Sequence, residues 1–283
     1  MPPIANASTA LRSIAAVTLL LSSASCPGQA TRFRIDDMAL RDPHIFVNAF
    51  SSCADVTDTP ILTFSVNGEL AAAISEDRND DGLLDYSSLL VFQPLNHALP
   101  QNPFSVGTAD CTAPLASTAC GPLQTAQLSG PASLPAAGSC LEPIAGSLNG
   151  YLPPVASSTA PCFASTTGTL VLDLGGIPVS LQQAQVAASF DGNPADGLVN
   201  GLMRGFISEA DADTLLLPDS FPLVGGQPLS SLLPGGSGNC ATHDDRDVVQ
   251  AEDGWWFYLN FSAARLDEAG APDAGIFANG FED

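Results

Sequence analysis

The sequence predicts a mainly β fold, an antiparallel β-sandwich with one or two helices inserted near residues 197–217. Three observations lead there. Apolar runs of strand length recur between clusters of Gly, Pro, Asn and Asp. One of them, GWWFYLNF (254–261), is apolar on both faces: Trp255, Phe257, Leu259 and Phe261 on one, Trp256 and Tyr258 on the other. Such a strand belongs in the middle of a sheet covered on both sides. Six cysteines follow the N-terminal segment, and an even number suits a disulfide-bonded exported domain.

The elements follow in order. HIFVNAF (44–50) is rich in β-formers. ILTFSV (61–66), Asn67-Gly68 and ELAAAIS (69–75) read as a hairpin, because Asn-Gly suits a turn needing positive φ at both positions. YSSLLVF (86–92) reads as the next strand, so the acidic stretch before it joins neighbouring strands. Residues 112–168 are Ser-, Ala-, Pro-, Gly- and Thr-rich, with Glu142 the sole charge. Cysteines in and beside this region argue for pinned turns and short strands over a linker. TLVLDL (169–174), Gly175-Gly176 and IPVSLQQAQVAASF (177–190) form a long-armed hairpin pattern. In 197–217, Leu198, Leu202, Phe206 and Ala210 fall at helical spacing. Asp196 offers an N-cap, and Gly197, Gly201 and Gly205 allow close packing on a sheet. PLSSLLPGG (228–236) is a short turn or helical knot.

The chain divides into a signal peptide over 1–30, one β-rich domain over 31–266 (with 31–110 and 140–266 as alternative halves), and an acidic linker and tail over 267–283. Arg12 followed by IAAVTLLL (14–21) has the form of a signal-peptide core, with cleavage after Ala24 or Ala30. The lipoprotein alternative, an anchor at Cys26, is disfavoured by Ser23 standing where a leucine is usual. No later stretch is apolar over the ~18 residues of a membrane span. Short-loop pairing of Cys53, Cys111, Cys120, Cys140, Cys162 and Cys240 predicts Cys111–Cys120 and Cys140–Cys162, leaving Cys53 with Cys240.

Composition excludes several function classes. There are 30 acidic residues against 8 basic ones, for a net charge of −22, and every basic residue is an arginine. Polyanions are repelled, so nucleic acid and anionic headgroups are excluded as partners, while metal cations are favoured. With 45% hydrophobic residues the chain has material for a core. There is no G-x-S-x-G, H-E-x-x-H or P-loop motif, no CxxC pair for zinc, and no lysine for amine chemistry.

The segment DRNDDGLLD (77–85) carries the clearest chemical signal. Asp77, Asn79 and Asp81 stand at positions one, three and five, Gly82 at six, Leu83 at seven and Asp85 at nine. Ca²⁺ takes six to eight hard oxygens, and alternating side chains plus the Leu83 carbonyl supply them around a sharp glycine turn. The spacing resembles the first nine residues of an EF-hand loop and the DxDxDG loops of secreted calcium proteins. Ser88 stands at position twelve, where an EF-hand has a bidentate Glu. The resemblance implies a structural extracellular calcium loop with Asp77, Asn79, Asp81, Leu83 and Asp85 as ligands; a solvated acidic turn is the alternative.

Two weaker clusters follow. Asp191, Asn193 and Asp196 suit a turn and cap as well as a second metal site. His243, Asp244, Asp245, Arg246 and Asp247 read as a loop in which Arg246 offsets its neighbours, with a metal or acid–base site as alternatives. His44 and His97 read as structural, and the Trp255–Trp256 pair as core before sugar platform. The ending IFANGFED, with Ile276, Phe277, Gly280, Phe281 and Glu282, resembles the IFxxGFE-type endings of secreted gram-negative bacterial proteins. That implies an extracytoplasmic bacterial protein with a tail read by sorting machinery. The sequence therefore predicts a non-catalytic, calcium-stabilised surface or binding module, with a secreted hydrolase using carboxylates and His243 as the alternative.

Overall fold

The structure is a computed structural model and describes residues 29–173, 178–219 and 224–266. Nearly all of the expected signal peptide, Cys26 and the 267–283 tail lie outside the described residues. The elements are β1 (Thr31–Asp42), β2 (Phe46–Ala49), β3 (Ser52–Asp55), α1 (Val66–Ser75), β4 (Ser88–Phe92), β5 (Gln101–Thr108), β6 (Thr125–Ser133) and β7 (Ser139–Leu141). Then come β8 (Ser158–Thr159), β9 (Cys162–Ser165), β10 (Gly168–Asp173), β11 (Pro178–Asp191), β12 (Gly197–Ser208), α2 (Glu209–Thr214), a 3-10 turn at Leu229–Leu232, β13 (Asp247–Val249) and β14 (Glu252–Arg265).

The fold is mainly β, but it is an eight-stranded antiparallel barrel and not a sandwich. The sheet runs β1–β4–β5–β6–β9–β11–β12–β14 and closes because β14 pairs back onto β1, from Phe33 opposite Arg265 to Asp42 opposite Tyr258. A sandwich has edge strands in each sheet. Here the first strand has partners on both sides, β4 and β14. Closure removes the exposed edges that an open sheet must protect. β10 pairs with β11, and β13 pairs with the first residues of β14.

β14 has the double burial its composition predicts. Trp255, Phe257, Leu259, Phe261 and Ala263 join the main core cluster with Phe33, Phe92, Phe163 and Leu181. Its opposite face, Trp256 and Tyr258, packs with Leu202, Phe206 and Leu141 in a second cluster. That outer face is covered by the segment 139–158, a strap laid across the barrel wall. Asn260 fastens the strap by bonds to the Ala156 N–H (2.8 Å) and carbonyl (2.9 Å). The Tyr258 hydroxyl accepts from the Ile144 N–H and pairs with Ser147. Both tryptophans are thereby buried, which leaves neither as a sugar platform.

All three predicted disulfides form: Cys53–Cys240, Cys111–Cys120 and Cys140–Cys162. Such pairs are consistent with a location outside the cytoplasm. None of the described helices is long and apolar enough to cross a membrane. The 169–190 hairpin forms as β10 and β11.

Two local readings are corrected. The Asn67-Gly68 hairpin is instead the first turn of α1. The Ser65 side chain caps it by accepting the Gly68 N–H, and a Cβ at Gly68 would lie 2.6 Å from that hydroxyl. Asn67 turns its amide back onto β1, accepting from the Leu40 N–H at 2.7 Å and donating to the Leu40 carbonyl at 3.0 Å. The helical pattern at 197–217 is mostly β12, and only Glu209–Thr214 is helical, with Ser208 and not Asp196 as its cap. A register shift between Leu198 and Gly201 resets the inward face. Gly201 sits against the Phe261 ring and Gly205 against Leu181, so these glycines serve strand contacts inside the barrel wall.

The barrel interior is filled by side chains. A cavity of about 60 Å³ remains, lined by Leu40, Phe64, Leu70, Val179, Leu232 and Phe257. That is well short of the ~150 Å³ that admits a benzene-sized molecule.

At Gly254 a Cβ would meet the Ile207 carbonyl oxygen at 2.2 Å. Gly254→Ala therefore should lose about 1–3 kcal/mol, read as a lower midpoint in thermal or urea denaturation. Val199→Ala on the exposed side of β12 should stay within about 0.5 kcal/mol of the parent.

Candidate functional site

The acidic loop emerges from the C-terminal end of α1 and leads into β4, so a helix and not a strand enters it. A strand, β4, and not a second helix follows it. Asp77 Oδ1 and Asn79 Oδ1 both accept the Asp81 N–H, each at 3.0 Å. Asp77 Oδ2 accepts from Gly82 N–H at 2.7 Å, and Asp81 Oδ1 from Leu83 N–H at 2.8 Å. Positions one, three and five thus fold around one another, and Gly82 makes the turn at φ +84°. Position nine is engaged elsewhere: Asp85 receives the Arg78 guanidinium at 2.5 Å, and Arg78 also reaches Glu69 at 3.1 Å. The bond to Asp85 raises the Arg78 pKa. Leu84 N–H donates to the Cys111 carbonyl and Ala113 N–H to the Gly82 carbonyl, which ties the loop to the Cys111–Cys120 turn.

The residues present fit a calcium ion in part. Asp77 and Asn79 share one amide and the Asn79 side-chain amide donates to Asp81 at 3.1 Å, while Asp85 lies across the same loop under Arg78. No set of three or more His, Cys, Asp and Glu side chains among the described residues is disposed to hold a metal ion as it stands. The Asp191–Asp196 stretch forms the β11–β12 turn, with Asp196 N–H donating to the Asp191 carbonyl at 2.8 Å.

The other candidate group is assembled from distant parts of the chain. Asp42 ends β1, His44 follows it, Asp55 ends β3, Asn149 and Tyr151 lie on the strap, and His243 and Asp245 precede β13. Cys53–Cys240 pins the β2–β3 hairpin to this last loop. His44 Nδ1 meets Asp55 Oδ2 at 2.5 Å. The Tyr151 ring stacks on His44 with centroids 3.8 Å apart. The Tyr151 hydroxyl donates to Asp245 Oδ2 at 2.5 Å and lies 2.7 Å from His243 Nε2. A phenol has one proton, so His243 Nε2 is the donor in the second bond. Asn149 gives Asp42 its backbone N–H (2.8 Å) and its side-chain amide (2.9 Å). His44 Nε2 is buried without a hydrogen-bond partner.

Burial sets the charges here. It pushes Asp42 upward, with Asp245 adding to the rise and the Asn149 bonds opposing it. It also raises Asp245, against the pull of the Tyr151 hydroxyl and His243. Burial and the Asp245 carboxylate push Tyr151 far above the usual phenol range. At Asp55 burial works upward, but the bonds from His44 and Thr57 outweigh it and hold the carboxyl low. Arg246 does offset its neighbours, bonding Asp244 at 2.7 Å and Glu209 at 3.0 Å. Asp245 turns inward instead. His44, Asp55, Asp42 and Tyr151 escaped the sequence reading as a group, because Tyr151 and His243 are 92 residues apart and no local spacing marks them.

No protein-family model, curated protein or solved structure matches the chain.

A carboxyl whose pKa is raised by folding binds its proton more tightly in the folded state. For Asp245 stability therefore falls as pH rises from the unfolded carboxylate value through the folded one. Asp245→Asn removes that contribution. Moving from about pH 7 to about pH 4 should shift the difference in denaturation midpoint in favour of the parent protein, measured by urea unfolding of both proteins. A gap that moves the other way contradicts the assignment.

Proposed function

We propose that the chain is an exported, non-catalytic β-barrel module for a cell surface, the periplasm or the medium, stabilised by Ca²⁺ at Asp77, Asn79, Asp81, Leu83 and Asp85. The observation that carries this reading is the shared acceptance of one amide, Asp81 N–H, by Asp77 and Asn79, which gathers the first three ligand positions at the end of a helix. Asp85 joins them when Arg78 swings away toward Glu69. Calcium supplies charge neutralisation in this loop and through it steadies α1 and the Cys111–Cys120 turn. A binding role draws support from large apolar side chains left exposed: Phe50 at the β2–β3 turn (78%), Leu152 on the strap (76%) and Val248 on β13 (71%). Residues 1–30 act as the signal peptide and 267–283 as a linker and sorting tail in the same reading.

The alternative, a secreted hydrolase, is favoured by the meeting of His243, Asp245 and Tyr151. In that group the donor role of His243 Nε2 toward Tyr151 takes that nitrogen out of use as a base, which weighs against it.

Extracellular calcium modules bind with dissociation constants of roughly 10⁻⁴–10⁻³ M. At a calcium concentration 100 times that constant, the folded state should gain about 2.7 kcal/mol. Isothermal calorimetry and thermal unfolding of the mature protein should both register this, and Asp81→Ala should abolish it. No heat and no shift at about 10–100 mM calcium would remove the metal from the account.

A further inference from the structure

The cavity of about 60 Å³ lies between the barrel wall and the elements packed on one end of it. From the wall come Leu40 near the end of β1, Val179 at the start of β11 and Phe257 on β14. Opposite them stand Leu70 of α1, Phe64 and Leu217. Backbone bonds fix this second set. Phe64 N–H donates to the Ile61 carbonyl at 3.0 Å, Leu217 N–H to that of Gln227 at 2.9 Å, and Leu229 N–H to that of Leu215 at 2.8 Å. The cavity reaches the surface at Glu69, the one ionisable group among the described residues that line it, whose side chain is 37% exposed. Leu62, at the tip of the turn closed by Ile61 and Phe64, is 61% exposed, and Leu216, next to Leu217, is 60% exposed. An exposed leucine by itself is ordinary. Two that adjoin the lining of one apolar cavity carry its apolar surface out to the solvent.

We propose that this end of the barrel binds the end of an unbranched hydrocarbon chain whose head is uncharged or cationic. Size selects the chain. A site of ~150 Å³ holds benzene, about 25 Å³ per carbon, so 60 Å³ seats about two carbons and excludes a ring. The terminal carbons enter among Leu70, Val179 and Phe257, and the methylenes behind them lie against Leu62 and Leu216. Charge selects the head. Glu69 at the opening is bonded to Arg78 at 3.1 Å, and Arg78 also holds Asp85, so the three groups carry one net negative charge. The whole chain carries −22. A carboxylate or phosphate head is repelled there, whereas a hydroxyl or an ammonium donates to the Glu69 carboxylate. The inference does not draw on calcium.

The test is methyl nuclear magnetic resonance of the mature protein, titrated with straight-chain alcohols, octylammonium, octanoate and cyclohexanol below any micelle concentration. The Leu70, Val179 and Leu232 methyls should shift saturably with 1-octanol and with octylammonium. Affinity should rise about threefold per methylene from 1-butanol to 1-octanol. Octanoate should bind at least about tenfold more weakly than 1-octanol, and cyclohexanol should leave these methyls unmoved. Leu62→Asn and Leu216→Ser lie on the outside and should keep the denaturation midpoint. Each should weaken 1-octanol binding by about three- to tenfold. Methyls that ignore every straight chain overturn the proposal, as does 1-octanol binding that neither variant weakens. Cyclohexanol binding as tightly as 1-octanol overturns the chain, and octanoate doing so overturns the head. Shifts of the same methyls with protein concentration alone would make the opening a contact between copies and overturn the ligand.

Discussion

The pairing of β1 with β14 is the constraint on which the rest of the structure depends. It joins the first and last strands of the barrel and leaves neither with a free edge. It also decides what the hydrophobic residues must do. A closed eight-stranded sheet has one enclosed interior, which large side chains here fill nearly completely. Residues on the outer face need cover of another kind. The strap over 139–158 covers Trp256 and Tyr258, and the Cys111–Cys120 turn covers Leu84 and Leu89. Arg32 and Arg34 on β1 bind carbonyls of that turn, those of Cys120 and Gly121 and those of Leu115 and Ser117.

Both candidate sites belong to these outer coverings and not to the interior. The acidic loop sits at the junction of α1 with the Cys111–Cys120 turn. The His44 group sits where the strap, the β2–β3 hairpin and the loop before β13 meet, with Cys53–Cys240 across the last two. A net charge of −22 makes each of them a place where negative groups need a cation. Arg78 serves Asp85 in one; in the other His44 meets Asp55 at 2.5 Å and His243 lies 3.6 Å from Asp245.

Much of this was legible in the residues and some was not. GWWFYLNF announced a strand buried on both faces, since a surface strand does not tolerate five large, mainly apolar side chains in succession, Trp255 to Leu259. The disulfides followed from loop length. The 169–190 hairpin followed from two strand-length runs flanking Gly175-Gly176, the second close to period two. Closure was not legible, because a strand covered by a strap and a strand covered by a second sheet carry the same pattern. Asn67-Gly68 misled because its turn chemistry is local, whereas its actual use is not: Asn67 bonds the Leu40 backbone, and Gly68 makes room for the Ser65 cap. The glycines at 201 and 205 misled through their spacing of four. In β12 they answer to Phe261 and Leu181, partners remote in sequence. The acidic loop was legible as a candidate because its residues lie within nine positions of one another. The His44 group was not, because its members come together only in the folded barrel.

Closure can be tested directly by native-state amide exchange. The β1 amides from Phe33 to Leu40 and the β14 amides from Phe257 to Ala264 should exchange last and together, with the free energy of global unfolding. If β1 exchanges early while β11 and β12 remain protected, the barrel is open along that seam and the account of the fold is wrong.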